Sequence, residues 1–299
     1  MNATDVELVM WEGSVRELPY EKQVEAASHA GFSGLALTPM AFQTAIDFHG
    51  TAGTRRLAEQ AGLTLHLDTA TGWAPIRVPT GADDYQKARF DVNADDCFAL
   101  IDALSLRSVL AVAVFDHGAV PEADLVQGFG EFADRAAERS VPVNLEFMPF
   151  WGVPDLAAAW SIVEKANRPG TGLMLDTWHF AHSGADLELL SRIPDEVPIH
   201  LQLADGTMAP AGADLITATM HTRRPPGQGS LEILGVISAV THRSPRITAG
   251  PEVFSDDLDR LDAKQIGEIL GASTREVLFE TPGGFPGAVT APTESPTDN

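Results

Sequence analysis

Short apolar runs rich in β-forming residues alternate along this chain with longer amphipathic runs, at roughly the spacing of βα units. Strands are predicted at residues 7–11, 34–38, 63–68, 109–115, 141–146, 172–176, 199–204 and 247–253. Helical periodicity covers 20–30, 45–61, 91–104, 125–140, 155–166, 186–193, 231–240 and 263–270. Gly31 and Gly62 stand where two of these helices should stop, and Asp155 where another should begin. Eight strands alternating with helices predict an α/β fold, a single (β/α)8 TIM barrel. A dinucleotide-binding alternative lacks the glycine-rich turn after the first strand.

Two connections are long. Residues 71–87 hold several glycines and prolines together with Trp73, which suits a lid or a pocket wall. Residues 205–229 form the second. The barrel is assigned to residues 1–281. Residues 282–299, rich in Pro, Gly, Ser and Thr, are read as a mobile tail.

In such a barrel, functional groups gather at the C-terminal ends of the strands, and alternate side chains face the interior. On the fifth strand Val143 and Leu145 should face the helices, so Asn144 and Glu146 face inward. The same phase places Asp176 inside on the sixth strand, and His200 and Gln202 on the seventh. On the eighth, Glu252 lies opposite Pro251 and Val253. Glu146, Asp176, Gln202 and Glu252 are 30, 26 and 50 residues apart, and the long third interval contains the 205–229 loop. Three carboxylates converging on one cavity repel unless protons are shared or a cation lies between them. An all-oxygen set suits one hard divalent ion, Mn²⁺ or Mg²⁺. His179 and His200 nearby leave cobalt or zinc as alternatives.

Composition narrows the field. The 299 residues are 44% hydrophobic, enough for one large core, and the formal net charge of −22 argues against nucleic acid or an anionic membrane as partner. Cys97 is the single cysteine, so an internal disulfide is impossible and cysteine-based zinc sites are excluded. The N-terminal MNATDVELVM lacks the basic-then-apolar pattern of a secretory leader, and a cytoplasmic location is expected.

The segments LEFMPF, LMLDTWHF, IHLQLAD, HTRRPPGQGSLEI and PEVFSDDL together resemble the xylose-isomerase-like barrel superfamily of sugar isomerases and epimerases, best between residues 141 and 258. The resemblance implies a divalent metal held by Glu146, Asp176, Gln202 and Glu252. It implies His179 as a residue contacting substrate, and Arg223, before the Pro-Gly-Gln-Gly turn, as a substrate-binding arginine. Glu146 and Glu252 would also be the acid/base pair. Gln202 departs from the sugar epimerases, which commonly have His there. It is more similar to the hydroxypyruvate isomerases and 3-dehydroshikimate dehydratases of the superfamily.

The expected activity is therefore isomerisation or epimerisation of a ketose-like or hydroxy-carbonyl compound through an enediolate, with β-elimination by the same site as the alternative. A small molecule is the expected partner, with homo-oligomerisation left open. Four further residues are pocket candidates with competing packing roles: His66 on the third strand, Trp11 at the end of the first, and Trp73 and Trp178 at the site mouth. A DNA-repair nuclease of this barrel class would need extra histidines and a basic groove. A non-catalytic barrel would not need the complete ligand set.

Overall fold

A computed structural model describes residues 6–241, 243, 246–281 and 284. Its eight strands are β1 (Val6–Trp11), β2 (Gly34–Leu37), β3 (Thr64–Ala70), β4 (Val109–Ala111), β5 (Val143–Glu146), β6 (Thr171–Asp176), β7 (Ile199–Leu203) and β8 (Ile247–Pro251). They close into one parallel barrel in sequence order, with β8 pairing back onto β1. The predicted (β/α)8 barrel is the observed fold.

Twelve α-helices are described: α1 (Tyr20–His29), α2 (Pro39–His49), α3 (Thr51–Gln60), α4 (Asp84–Phe90), α5 (Ala94–Leu104), α6 (Glu122–Ala137), α7 (Leu156–Ala166), α8 (Thr177–His182), α9 (Leu187–Arg192), α10 (Leu215–His221), α11 (Ile233–Thr241) and α12 (Ala263–Arg275). None of the described helices is long and apolar enough to cross a membrane. Their starts follow from local chemistry. Asp155 accepts from the Ala158 N–H, Asn93 from Asp96, and Thr38 from Ala41 with Pro39 in the first turn.

The strand phase read from the sequence holds. Val143, Leu145, Leu173, Leu175, Leu201 and Leu203 belong to the large apolar layer shared with the helices. A separate inner cluster, Val9, Trp11, Ala36, Leu110, Val112, Val114 and Met174, fills the middle of the barrel. Closure depends on Gly250: a Cβ there would sit 1.8 Å from the Val9 carbonyl oxygen, so only glycine lets β8 lie this close to β1.

Several segments differ from expectation, among them the fourth strand, which ends at Ala111. The helix expected over 45–61 is two helices, because Gly50 turns the chain with φ 69° between α2 and α3. The 71–87 connection runs into α4, started by a capping box in which Asp83 and Gln86 bond each other's backbone N–H. The 205–229 connection carries α10 and returns through an antiparallel bridge between Asp205 and Arg224. Strand β8 ends at Pro251, so Glu252 stands one residue beyond it. The proposed tail lies outside the described residues except for Gly284.

Below the apolar belt, toward the N-terminal ends of the strands, the interior is polar. Thr64 Oγ1 donates to Glu7 Oε1 (2.6 Å), and His66 bridges Thr64 Oγ1 (3.0 Å) and Ser108 Oγ (2.8 Å) through its two ring nitrogens. His200 Nδ1 accepts the Thr248 N–H (2.8 Å), which fixes the imidazole proton on Nε2. Burial pushes the His200 pKa down to about 4, and the charge of His66 adds to it. Burial works to raise Glu7, but the hydrogen bond and charge of His66, with Thr64, outweigh it and bring Glu7 down to about 2.

Candidate active site

Each converging side chain is placed by the end of a strand. Glu146 closes β5 and Asp176 closes β6. Asp176 is also the N-cap of α8: its Oδ1 accepts the His179 N–H at 2.8 Å, and this turn brings the His179 ring back over the barrel mouth. Gln202 on β7 is the register partner of Asp176. The Glu252 N–H donates to the Leu203 carbonyl (3.0 Å), which ties the end of β8 to β7. All five residues are buried.

Arg223 comes from the return of the long loop after β7, where its N–H donates to the Phe254 carbonyl. Its guanidinium is fully buried between the Trp178 and Phe254 rings, at 5.4 and 5.0 Å. It donates to Asp176 Oδ2 (2.6 Å), the Glu252 carbonyl (3.0 Å), Thr219 Oγ1 (2.7 Å) and His179 Nε2 (3.1 Å), and lies 3.6 Å from Glu252 Oε2. Because arginine only donates, His179 Nε2 is an acceptor and the ring is neutral with its proton on Nδ1.

The electrostatics follow from burial. Burial alone would raise Asp176, but the charge of Arg223, with the hydrogen bonds from the His179 backbone N–H and from Arg223, outweighs it and holds its carboxyl below the usual range. Burial pushes His179 down to about 3. Glu146 and Glu252 are both driven well above the ordinary carboxylate range. Burial is the main cause for each; the charge of Asp176 adds to it at Glu146 and that of Asp68 at Glu252.

The donor set fits a cation. Glu146 and Asp176 offer ligand oxygens, with a His179 ring nitrogen within 4.8 Å of both. Beside them, both Gln202 side-chain atoms, Oε1 and Nε2, are buried with no hydrogen-bond partner among the described residues, and the His179 Nδ1–H, likewise unpartnered among them, is available to donate. Leaving a buried amide unpaired costs ~1–3 kcal/mol, so such groups in native interiors normally face a water, an ion or a ligand. Glu252 shares the Arg223 Nη1 nitrogen with Asp176, at 3.6 and 2.6 Å.

A cavity of about 350 Å³ opens over this cluster. Glu146, His179, Arg223 and Glu252 line its floor. Val112, Val114, Met148, Phe150, Trp151 and Phe254 supply an apolar wall, and α4 contributes Tyr85, Arg89 and Phe90. Trp73 and Trp178, expected at the mouth, are buried behind the wall instead. The Trp73 indole N–H donates to the Val112 carbonyl (2.8 Å) and its ring packs on Phe129, while Trp178 stacks on His182 beneath Arg223. Trp11 and His66 line a separate void of about 10 Å³ inside the barrel.

Asp68, Glu12 and Arg89 were not singled out from the sequence as site residues. Asp68 lines the cavity from β3. Glu12, after β1, accepts the Thr38 N–H (2.7 Å) and pairs with Arg89 (3.3 Å) at the cavity's edge. The alternation that puts His66 and Asp68 on one face of β3 was the available signal. The α4 capping box was the signal for the lid that carries Arg89.

Comparison with known proteins adds the family. The family described as a xylose isomerase-like TIM barrel matches residues 24–273. A 3-dehydroshikimate dehydratase of Pseudomonas aeruginosa is 27% identical over 79% of this chain, and the match covers 36% of that protein. The chain thus spans little more than a third of the length of that relative. An inosose isomerase of Bacillus subtilis is 25% identical over 58% of the chain and 64% of its own length. Among solved structures, the IolI protein with a bound zinc atom superposes with a TM-score of 0.76 at 19% identity, covering 91% of this chain and 98% of that one.

Proposed function

The chain belongs to the xylose isomerase-like TIM-barrel family, and from that premise we propose that it is a divalent-metal-dependent enzyme that removes a proton α to the carbonyl of a small hydroxy-carbonyl compound. Glu146, Asp176, Gln202 and Glu252 would hold the metal, manganese or magnesium. The observation that carries the reading is Gln202: a buried amide with neither atom paired, in register with Asp176 and beside the Glu146–His179 cluster. When bound, such a cation supplies Lewis acidity toward the substrate carbonyl and the charge that keeps these carboxylates ionised.

The chain's own groups do the rest. Glu146 takes the proton from the α-carbon, and Glu252, beside the Arg223 guanidinium, returns one. Arg223 and the neutral His179 ring hold substrate oxygens and favour the negative charge that develops on them. Phe150, Trp151, Met148 and Phe254 exclude water from the enolate. Return of the proton gives an isomerase or epimerase. Loss of a β-hydroxyl from the same enolate gives a dehydratase, and Asp68, a further carboxyl lining the cavity from β3, favours that second reading.

The test is solvent exchange. With Mn²⁺ supplied, deuterium from D₂O should enter the α-position of 3-dehydroshikimate or of an inosose, the substrates in the relatives' names. A chelator should stop it. Metal-loaded protein that exchanges no α-proton in either compound, or in a panel of ketoses, would sink the reading.

A further inference from the structure

We propose that Asp68 is a further catalytic residue, the general acid that protonates a β-hydroxyl as it leaves the substrate. The proposal rests on the proton-abstraction reading above and chooses between its two outcomes.

Position is the first argument. In the closed strand order β3 lies four strands from β7 in either direction, so Asp68 looks across the mouth toward the side occupied by Gln202 and its neighbours. It lines the same cavity as Glu146 and Glu252 and is only 4% exposed. Glu146 on β5 is two strands away, so a substrate in that cavity is within reach of both carboxylates. That arrangement suits taking a proton from one carbon and delivering one to an oxygen on the next.

The backbone is the second argument. The β3–β4 register shifts between Leu67 and Ala70, a bulge that contains Asp68 and Thr69. Thr69 has φ 54°, a left-handed conformation that a β-branched residue rarely adopts. Bulges next to active sites re-aim side chains, and strained backbone persists where the surroundings enforce it. Here the strained residue directly follows the carboxylate that enters the cavity.

Asp68 also lacks a distant structural partner. Asp176 caps a helix and Glu12 accepts the Thr38 N–H, whereas Asp68 is hydrogen-bonded only to its own neighbour, Thr69. Among the described residues the Thr69 hydroxyl donates to it (3.1 Å), and no lysine or arginine forms an ion pair with it. Arg89 on α4, whose charge acts on Asp68, makes its ion pair with Glu12. The charged groups facing Asp68 are Glu12 after β1, Arg89 on α4, Glu146 on β5 and Glu252 after β8. Burial first, and then the charge of Glu12, push Asp68 up to about 7, the direction a general acid needs.

The step balances. Glu146 accepts the α-proton, and the C–H electron pair becomes the enolate. As the carbonyl re-forms, those electrons make the new C=C bond and the β C–O bond breaks with its pair on oxygen. That oxygen takes the Asp68 proton and departs as water, leaving an Asp68 carboxylate. Glu146 then gives up its proton to solvent and Asp68 regains one, which restores both groups.

The test separates exchange from elimination, using the full chain with Mn²⁺ and 3-dehydroshikimate in D₂O. In Asp68→Asn, α-deuterium exchange should stay within about threefold of the unsubstituted protein, while the rise of conjugated-product absorbance falls by ~10²–10⁴-fold. Asp68→Glu should restore part of it. A difference infrared spectrum near pH 6 should show a protonated-carboxyl band that Asp68→Asn lacks, a readout that needs no turnover. If Asp68→Asn eliminates water as fast as the unsubstituted protein, or loses exchange and elimination in parallel, the role is overturned. So is it if the infrared band is the same in both, or if the unsubstituted protein exchanges the α-proton and never loses water. Those results leave proton abstraction standing. A protein that exchanges nothing sinks the reading and this role together.

Discussion

The barrel encloses two polar regions, and they are built on opposite terms. At the N-terminal end, Glu7, Thr64, His66 and Ser108 bond one another, and His200 is bonded to Thr248. At the C-terminal end, Gln202 and His179 Nδ1 have no hydrogen-bond partner among the described residues, and Glu146 and Glu252 are destabilised as charges. Both regions bury titratable groups in the same barrel. Burial therefore does not mark a site; polar groups left without partners, around a cavity, do. The one exception in the closed region is Asn144 Oδ1, which faces the 10 Å³ void, about the size that holds a single water.

The contrast breaks first under substitution at the mouth. Glu146→Gln should lower kcat/KM by ~10²–10⁴-fold in steady-state kinetics, since it removes the proposed base and a proposed ligand. His200→Asn, at the closed end, should leave kcat/KM within about threefold. Equal losses in the two variants would erase the distinction.

The closed end should instead show itself in stability against pH. His200 is neutral and its folded value, about 4, lies below the unfolded one near 6.5, so the unfolded chain binds the extra proton between them. Its contribution is complete above pH ~6.5 and is lost as pH falls toward 4, amounting to ~3 kcal/mol. Urea titrations from pH 7 to 4 should show a shallower decline in His200→Asn than in the unsubstituted protein. Parallel declines would mean that this histidine is not the buried neutral group described. Glu7 adds a loss of the same sign lower down, between pH ~4.5 and about 2.

A smaller effect tests whether the mouth stores strain. Glycine accepts the φ 54° of Thr69, so Thr69→Gly should stabilise the fold, or at least not weaken it, by up to about 1 kcal/mol. Thermal melting checks this, and a clear loss of stability would show that the bulge is not strained.

The same contrast explains what the sequence could reveal. Strand phase was legible because a barrel strand must alternate between two buried environments. Leucines at 143, 145, 173, 175, 201 and 203, with valine at the first of these, fix the phase of Glu146, Asp176 and Gln202 without any structure. Asp68 was harder. Its side of β3 was readable, but the bulge that turns it into the cavity depends on a left-handed threonine, which no propensity favours. Trp73 was expected at the mouth because long loops often wall a pocket, and Trp178 was expected there with it. Their indoles instead found partners behind it, the Val112 carbonyl for Trp73 and His182 for Trp178. The lid helix α4 was hidden by the glycines and prolines before it, although Asp83 and Gln86 had the spacing of a capping box. Arg223 was found through its turn, but its four partners belong to tertiary structure alone.

The central claim is that the unpaired groups at the mouth await a cation. Anomalous diffraction from a crystal soaked in Mn²⁺ tests it most directly. The account predicts one strong peak within coordination distance of Glu146, Asp176, Gln202 and Glu252, with the Gln202 side-chain oxygen facing it and the peak absent in Glu146→Gln. A peak elsewhere, or none while Gln202 is satisfied by protein hydrogen bonds, would contradict it.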